Sequence, residues 1–89
     1  MTVEAYVFVS TTNPGPRAAC QAIRRLPGVV RADALFGSPA VIAIVRGKDL
    51  AEMDAPIDAI ANLPMATDTE TQVVRDIEVE DEARARTRA

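Results

Sequence analysis

Ala22-Ile23-Arg24-Arg25-Leu26-Pro27 returns 37 residues later as Ala59-Ile60-Ala61-Asn62-Leu63-Pro64, with four of the six positions identical. The same shift lays Val7-Phe8 on Ile44-Val45, both inside apolar, β-rich runs. Each half therefore reads as a strand, a helix, a Leu-Pro turn and a second strand. The repeat and the hydrophobic pattern point to the same division of the chain, which strengthens both.

Working outward, strand one spans Val3 to Ser10, with Val3, Ala5, Val7 and Val9 on one face and Tyr6 and Phe8 on the other. Thr11-Thr12-Asn13-Pro14-Gly15-Pro16 supplies capping side chains and first-turn prolines for a helix running to about Leu26. Its apolar stripe is Cys20, Ile23 and Leu26, and Pro27-Gly28 ends it. Strand two, Val29 to Phe36, alternates, with Val30, Ala32, Ala34 and Phe36 facing one way and Val29, Arg31, Asp33 and Leu35 the other. Gly37-Ser38-Pro39 is a turn, and strand three runs from Ala40 to Val45. Asp49 caps helix two, whose stripe is Leu50, Met53, Ile57, Ile60 and Leu63. Pro56 interrupts this helix, which either kinks there or starts near Ala55. Strand four covers about Ala66 to Val74 and can continue through Ile77 and Val79.

The order βαββαβ with right-handed crossovers puts both helices on one face of a four-stranded antiparallel sheet. The expected fold is α+β and ferredoxin-like, with a folded domain over residues 1–80 and a charged, flexible tail over 81–89. Strands one and three stay apolar on both faces, so the face away from the helices needs a second cover. A symmetric copy of the chain is the economical one, forming a dimeric α/β barrel through the sheets. An 89-residue chain buries only about 60–65% of its unfolded surface and gains from such a partner.

The net charge of −3 argues against a nucleic-acid surface. No apolar run approaches the roughly 20 residues of a membrane span, and the N-terminus lacks the pattern of a signal peptide, so the expected location is cytoplasmic. The chain has no histidine and one cysteine. That removes the commonest general base and the Ser-His-Asp and Cys-His arrangements, and it leaves no metal or cofactor site to propose. Cys20 lies on an apolar stripe and reads as a buried thiol. Thr67, Thr69 and Thr71 share a face at period two. They are either plain strand formers or a hydroxyl row for a small polar ligand. Asp33 and Glu70 are related by the 37-residue shift and read as surface carboxylates or as a symmetric polar pair at an assembly interface.

Several stretches, taken in order, resemble the effector domain of the Lrp/AsnC transcription regulators. They are Ala5-Tyr6-Val7-Phe8-Val9, Leu26-Pro27-Gly28-Val29-Val30, Ala32-Asp33-Ala34-Leu35-Phe36-Gly37, Val41-Ile42-Ala43-Ile44-Val45 before Asp49-Leu50, and Leu63-Pro64 before Thr69-Glu70-Thr71-Gln72-Val73-Val74. The resemblance covers residues 3 to about 77, without the family's DNA-binding domain. It implies dimers joined through their sheets, rings of dimers (octamers or decamers), and a small amino-acid effector bound between dimers. It also implies that the chain can act alongside a full-length regulator of the same family. By position it nominates Gly37, Ser38, Pro39, Ala40, Thr69 and Thr71 for the effector. The family usually has an Asp where this chain has Ala40, and Asp33 is the candidate to replace that carboxylate. The function expected is an effector-binding and oligomerisation module rather than an enzyme. The alternatives are a structural interaction module without a ligand and, third, a small enzyme of the dimeric α/β-barrel type.

Overall fold

The computed structural model describes residues 2–12 and 15–75. Its elements are β1 (Val3–Thr11), α1 (Gly15–Arg24), β2 (Val29–Ala34), β3 (Val41–Gly47), α2 (Leu50–Ala61) and β4 (Ala66–Val73). The strands form one sheet in the order β2-β3-β1-β4, every neighbouring pair antiparallel. This is the ferredoxin-like α+β fold. The repeat holds in three dimensions: the helix ends Arg24 and Ala61, and the strand starts Val29 and Ala66, are each 37 residues apart (61 − 24 and 66 − 29).

The core lies between the sheet and the helices. Ala5, Val7 and Val9 of β1 stand opposite Val45, Ala43 and Val41 of β3, and all six are fully buried. α1 covers them with Ala19, Cys20 and Ile23, and α2 with Met53 and Ile60. Each large aliphatic side chain so buried contributes about 1.5–3 kcal/mol relative to exposure. The aromatics stay out of this aliphatic core: Phe8 is half-buried and Tyr6 exposed on the sheet's other face, and Phe36 is fully exposed.

Three local readings of the sequence are corrected, and the choice left open at Pro56 is narrowed. Strand two is not a simple alternation. Val29 pairs with Val45 and Arg31 with Ile44, which leaves Val30 as the extra residue of a bulge. Val29 therefore packs toward the helices together with Ala32, and Val30 is exposed. The strand also stops at Ala34, because Leu35 and Ala40 close the turn through an N–H to C=O bond of 2.7 Å. α1 ends at Arg24, two residues early, where Arg25 and Leu26 switch to i→i−3 bonds. α2 begins at Leu50 and continues through Pro56, so the later start near Ala55 is not taken. Its start is secured by Asp49, whose side chain accepts from the Glu52 N–H (2.8 Å), and by Glu52, which accepts from the Lys48 N–H (3.0 Å). Pro56 forgoes one backbone bond but is buried against the turn at Gly28. The proposed continuation of β4 through Ile77 and Val79, and the tail at 81–89, lie outside the described residues.

Candidate functional site

The sheet face away from the helices is apolar at its centre and polar at its margins. Tyr6 and Phe8 of β1 lie beside Ile44 and Ile42 of β3, all exposed or only half-buried. At one end Arg46 Nε donates to Glu4 Oε2 at 2.7 Å. At the other end the β2–β3 turn hangs over the last residues of β1. The Ala40 N–H donates to the Val9 carbonyl at 2.9 Å, which pins the turn there. Gly37 takes φ +132°, a conformation side chains disfavour.

Below this turn is an open cleft of about 460 Å³, lined by Phe8, Ser10, Ser38, Pro39, Asp68, Glu70 and Gln72. The register explains the lining. Ser10 stands opposite Asp68, Phe8 opposite Glu70, and Tyr6 opposite Gln72. Directly paired residues project to the same face, so the even-numbered residues of β4 share the open face with Tyr6, Phe8 and Ser10. Two carboxylates, two hydroxyls and an amide line the cleft, and among the described residues no Lys or Arg does. Gln72 Nε2 lies 3.4 Å from Glu70 Oε2. Such an acceptor-rich wall suits a ligand ammonium group, and the Phe8 ring and Pro39 supply apolar surface for the rest of a small molecule.

The residues nominated from sequence fall in three places. Ser38 and Pro39 line the cleft, with Gly37 and Ala40 on either side of them. Ala40 packs its methyl group against the core. Thr69 and Thr71 are opposite Val9 and Val7, so within one chain they point to the helix side of the sheet, away from the cleft. Asp33 is on the open face opposite Ile42, but on the edge strand β2. There Arg31 Nε donates to its Oδ2 at 2.8 Å, and Arg24 Nη2 lies 3.9 Å from its Oδ1. The cleft residues not singled out from sequence are Phe8, Ser10, Asp68 and Gln72 as ligand contacts, with Glu70 noticed only as a symmetry mate. The period-two run Asp68-x-Glu70-x-Gln72 is the signal that could have found three of them.

Among the described residues no group of three acidic, Cys or His side chains could hold a metal ion. No described helix is long and apolar enough to cross a membrane. The Cys20 thiol is buried and donates toward the Ala32 carbonyl at 3.5 Å.

Among solved structures, the chain is similar to TTHA0845 from Thermus thermophilus (28% identity, TM-score 0.76, covering 82% of this chain and 92% of that one). It is also similar to AsnC of E. coli (17%, TM-score 0.74, 85% and 52%). A third similar structure is the transcriptional regulator NMB0573 of Neisseria meningitidis, solved in complex with L-Met (20%, TM-score 0.68, 85% and 52%). The chain thus spans about half the length of the last two. No curated protein matches it. The family described as the Lrp/AsnC ligand binding domain matches residues 4–83. The sequence pieces, the βαββαβ sheet and this match agree, and the chain belongs to the Lrp/AsnC ligand-binding-domain family.

Proposed function

We propose that this protein is an effector-binding and self-assembly module of its regulatory family, and that its effector is a small amino acid or related amine. The observation that carries the reading is the cleft under the β2–β3 turn, where Asp68 and Glu70 face Ser10 and Ser38 beside the Phe8 ring. Either carboxylate can accept from a ligand ammonium group, which offsets the methyl group of Ala40. The neighbour solved with L-Met makes amino acids the first compounds to try.

In this reading the apolar centre of the open face, Tyr6, Phe8, Ile42 and Ile44, packs against the same face of a second copy. The cleft then lies at the margin of that contact, where Thr69 and Thr71 of a further copy are free to complete it. Dimers gather into a ring, alone or with a longer regulator of the family. In this reading the protein works in the cytoplasm and without catalysis, in keeping with a chain that has no histidine and whose single thiol is buried.

A second reading, a structural module that binds no effector, is favoured by Ala40 alone. A thermal-shift screen across the amino acids separates the two. An effector raises the midpoint with concentration, by about 2.7 kcal/mol of added stability at a hundredfold excess over Kd. A flat response to all of them, from a protein that still assembles, selects the second reading.

A further inference from the structure

The charges on the open face of the sheet do not cancel evenly. Its strands bring Glu4, Asp33, Asp68 and Glu70 to that face, against Arg31 and Arg46. Both arginines are engaged within the chain. Arg46 Nε donates to Glu4 Oε2 at 2.7 Å, and Arg31 Nε to Asp33 Oδ2 at 2.8 Å. The excess of negative charge is gathered at one place, Asp68 and Glu70 in the cleft under the β2–β3 turn. Among the described residues neither of these two carboxylates makes an ion pair.

Their spacing has a counterpart in ligand chemistry. Residues two apart on a strand project to the same face, with backbones about 6.8 Å apart. An extended chain of about five carbons ending in two ammonium groups separates its nitrogens by roughly 7 Å, at ~1.5 Å a bond. Apolar surface is at hand for the carbons: the Phe8 ring stands opposite Glu70, and Pro39 lines the cleft from the turn. A ligand carboxylate is served less well. Ser10, Ser38 and Gln72 are neutral donors, and Gln72 Nε2 already lies 3.4 Å from Glu70 Oε2. A further anion beside two carboxylates is repelled.

We propose that the cleft selects a dication: a ligand with two ammonium groups, one held by Asp68 and the other by Glu70. A diamine without a carboxylate binds best, and lysine binds better than amino acids with neutral or acidic side chains. This rests on the effector reading above and narrows it, since that reading needs only one ammonium group. Each ammonium donates to one carboxylate. Both ion pairs form in an open cleft, where water and salt screen them, so each adds a modest factor and the two together set the preference.

The test is calorimetric titration of the whole protein with compounds built on one carbon chain. Cadaverine carries an ammonium at each end, and lysine adds a carboxylate to it. Pentylamine carries a single ammonium, and norleucine adds a carboxylate to that. Cadaverine is expected to bind about five- to tenfold more tightly than pentylamine, and lysine than norleucine by a similar factor. Asp68→Asn and Glu70→Gln, taken singly at these exposed positions, should each remove the advantage of the second ammonium. Pentylamine should be little affected, because the remaining carboxylate still accepts from its one ammonium. Raising the salt from about 50 mM to about 500 mM should weaken cadaverine more than pentylamine. Cadaverine no better than pentylamine, or norleucine as tight as lysine, overturns the dication and leaves the effector reading standing. An advantage that survives in both single variants also overturns it, by putting the second ammonium elsewhere. Silence from all these compounds overturns the proposal, and the effector reading falls with it only if every other amino acid is silent too.

Discussion

Asp33 and Glu70 stand at opposite ends of one cross-strand row on the open face of the sheet. Asp33 is opposite Ile42, Ile42 opposite Phe8, and Phe8 opposite Glu70. Three inter-strand spacings of about 4.8 Å put their backbones ~14 Å apart. The internal repeat makes them equivalent, but their surroundings do not. Asp33 is held by Arg31 and lies near Arg24, while among the described residues Glu70 has the Gln72 amide nearby. One end of the row is thus occupied within the chain, and the other opens into the cleft.

The middle of that row, Ile42 and Phe8, is where a second sheet is proposed to pack. Ile42→Asp places a charge at its centre. The dimer dissociation constant is expected to rise by about ten- to a hundredfold or more, the equivalent of the roughly 1.5–3 kcal/mol of one lost aliphatic contact. Sedimentation equilibrium reads this directly. A variant that dimerises as tightly as the wild type would move the interface elsewhere.

Gly28 sits after α1 at φ +89°, and a Cβ there would come within 3.2 Å of the Pro56 ring. Gly28→Ala is expected to cost about 1–2 kcal/mol from the left-handed backbone alone, plus the displacement of Pro56. Gly37→Ala at φ +132° meets no neighbour within 4 Å, so its cost comes from the backbone conformation alone. Urea unfolding of the two variants side by side gives the order.

Asp49 accepts from the Glu52 N–H and closes the first turn of α2. Asp49→Ala removes that bond and should lower stability by about 0.5–2 kcal/mol. Asp49→Ser should recover most of it, as measured by the same unfolding curves.

The fold was legible because its signals are local and repeated. Apolar alternation in Val3–Val9, the Leu-Pro turns after both helices and the Asp49 cap each have a short-range cause. The bulge at Val30 was not legible. Val29 and Val30 are equally apolar, and only pairing with Val45 and Ile44 decides which one turns inward. The helix through Pro56 was equally hidden, since its burial against Gly28 depends on tertiary packing. The candidate site was half legible. The turn at Ser38-Pro39 was found, but the threonines drew attention to the odd positions of β4. The pairing with Ser10 and Phe8 shows that Asp68 and Glu70 share the cleft instead.

The central claim, that the cleft carboxylates hold an effector's ammonium group, is tested most directly by calorimetric titration. Wild type and Asp68→Asn/Glu70→Gln are titrated with each amino acid in turn. At least one should bind the wild type, and the double variant should bind it about tenfold or more weakly, since hydrogen bonds to charged groups contribute about 1.5–3 kcal/mol each. Equal affinity in the two proteins, or no heat from any amino acid with the wild type, would contradict the account.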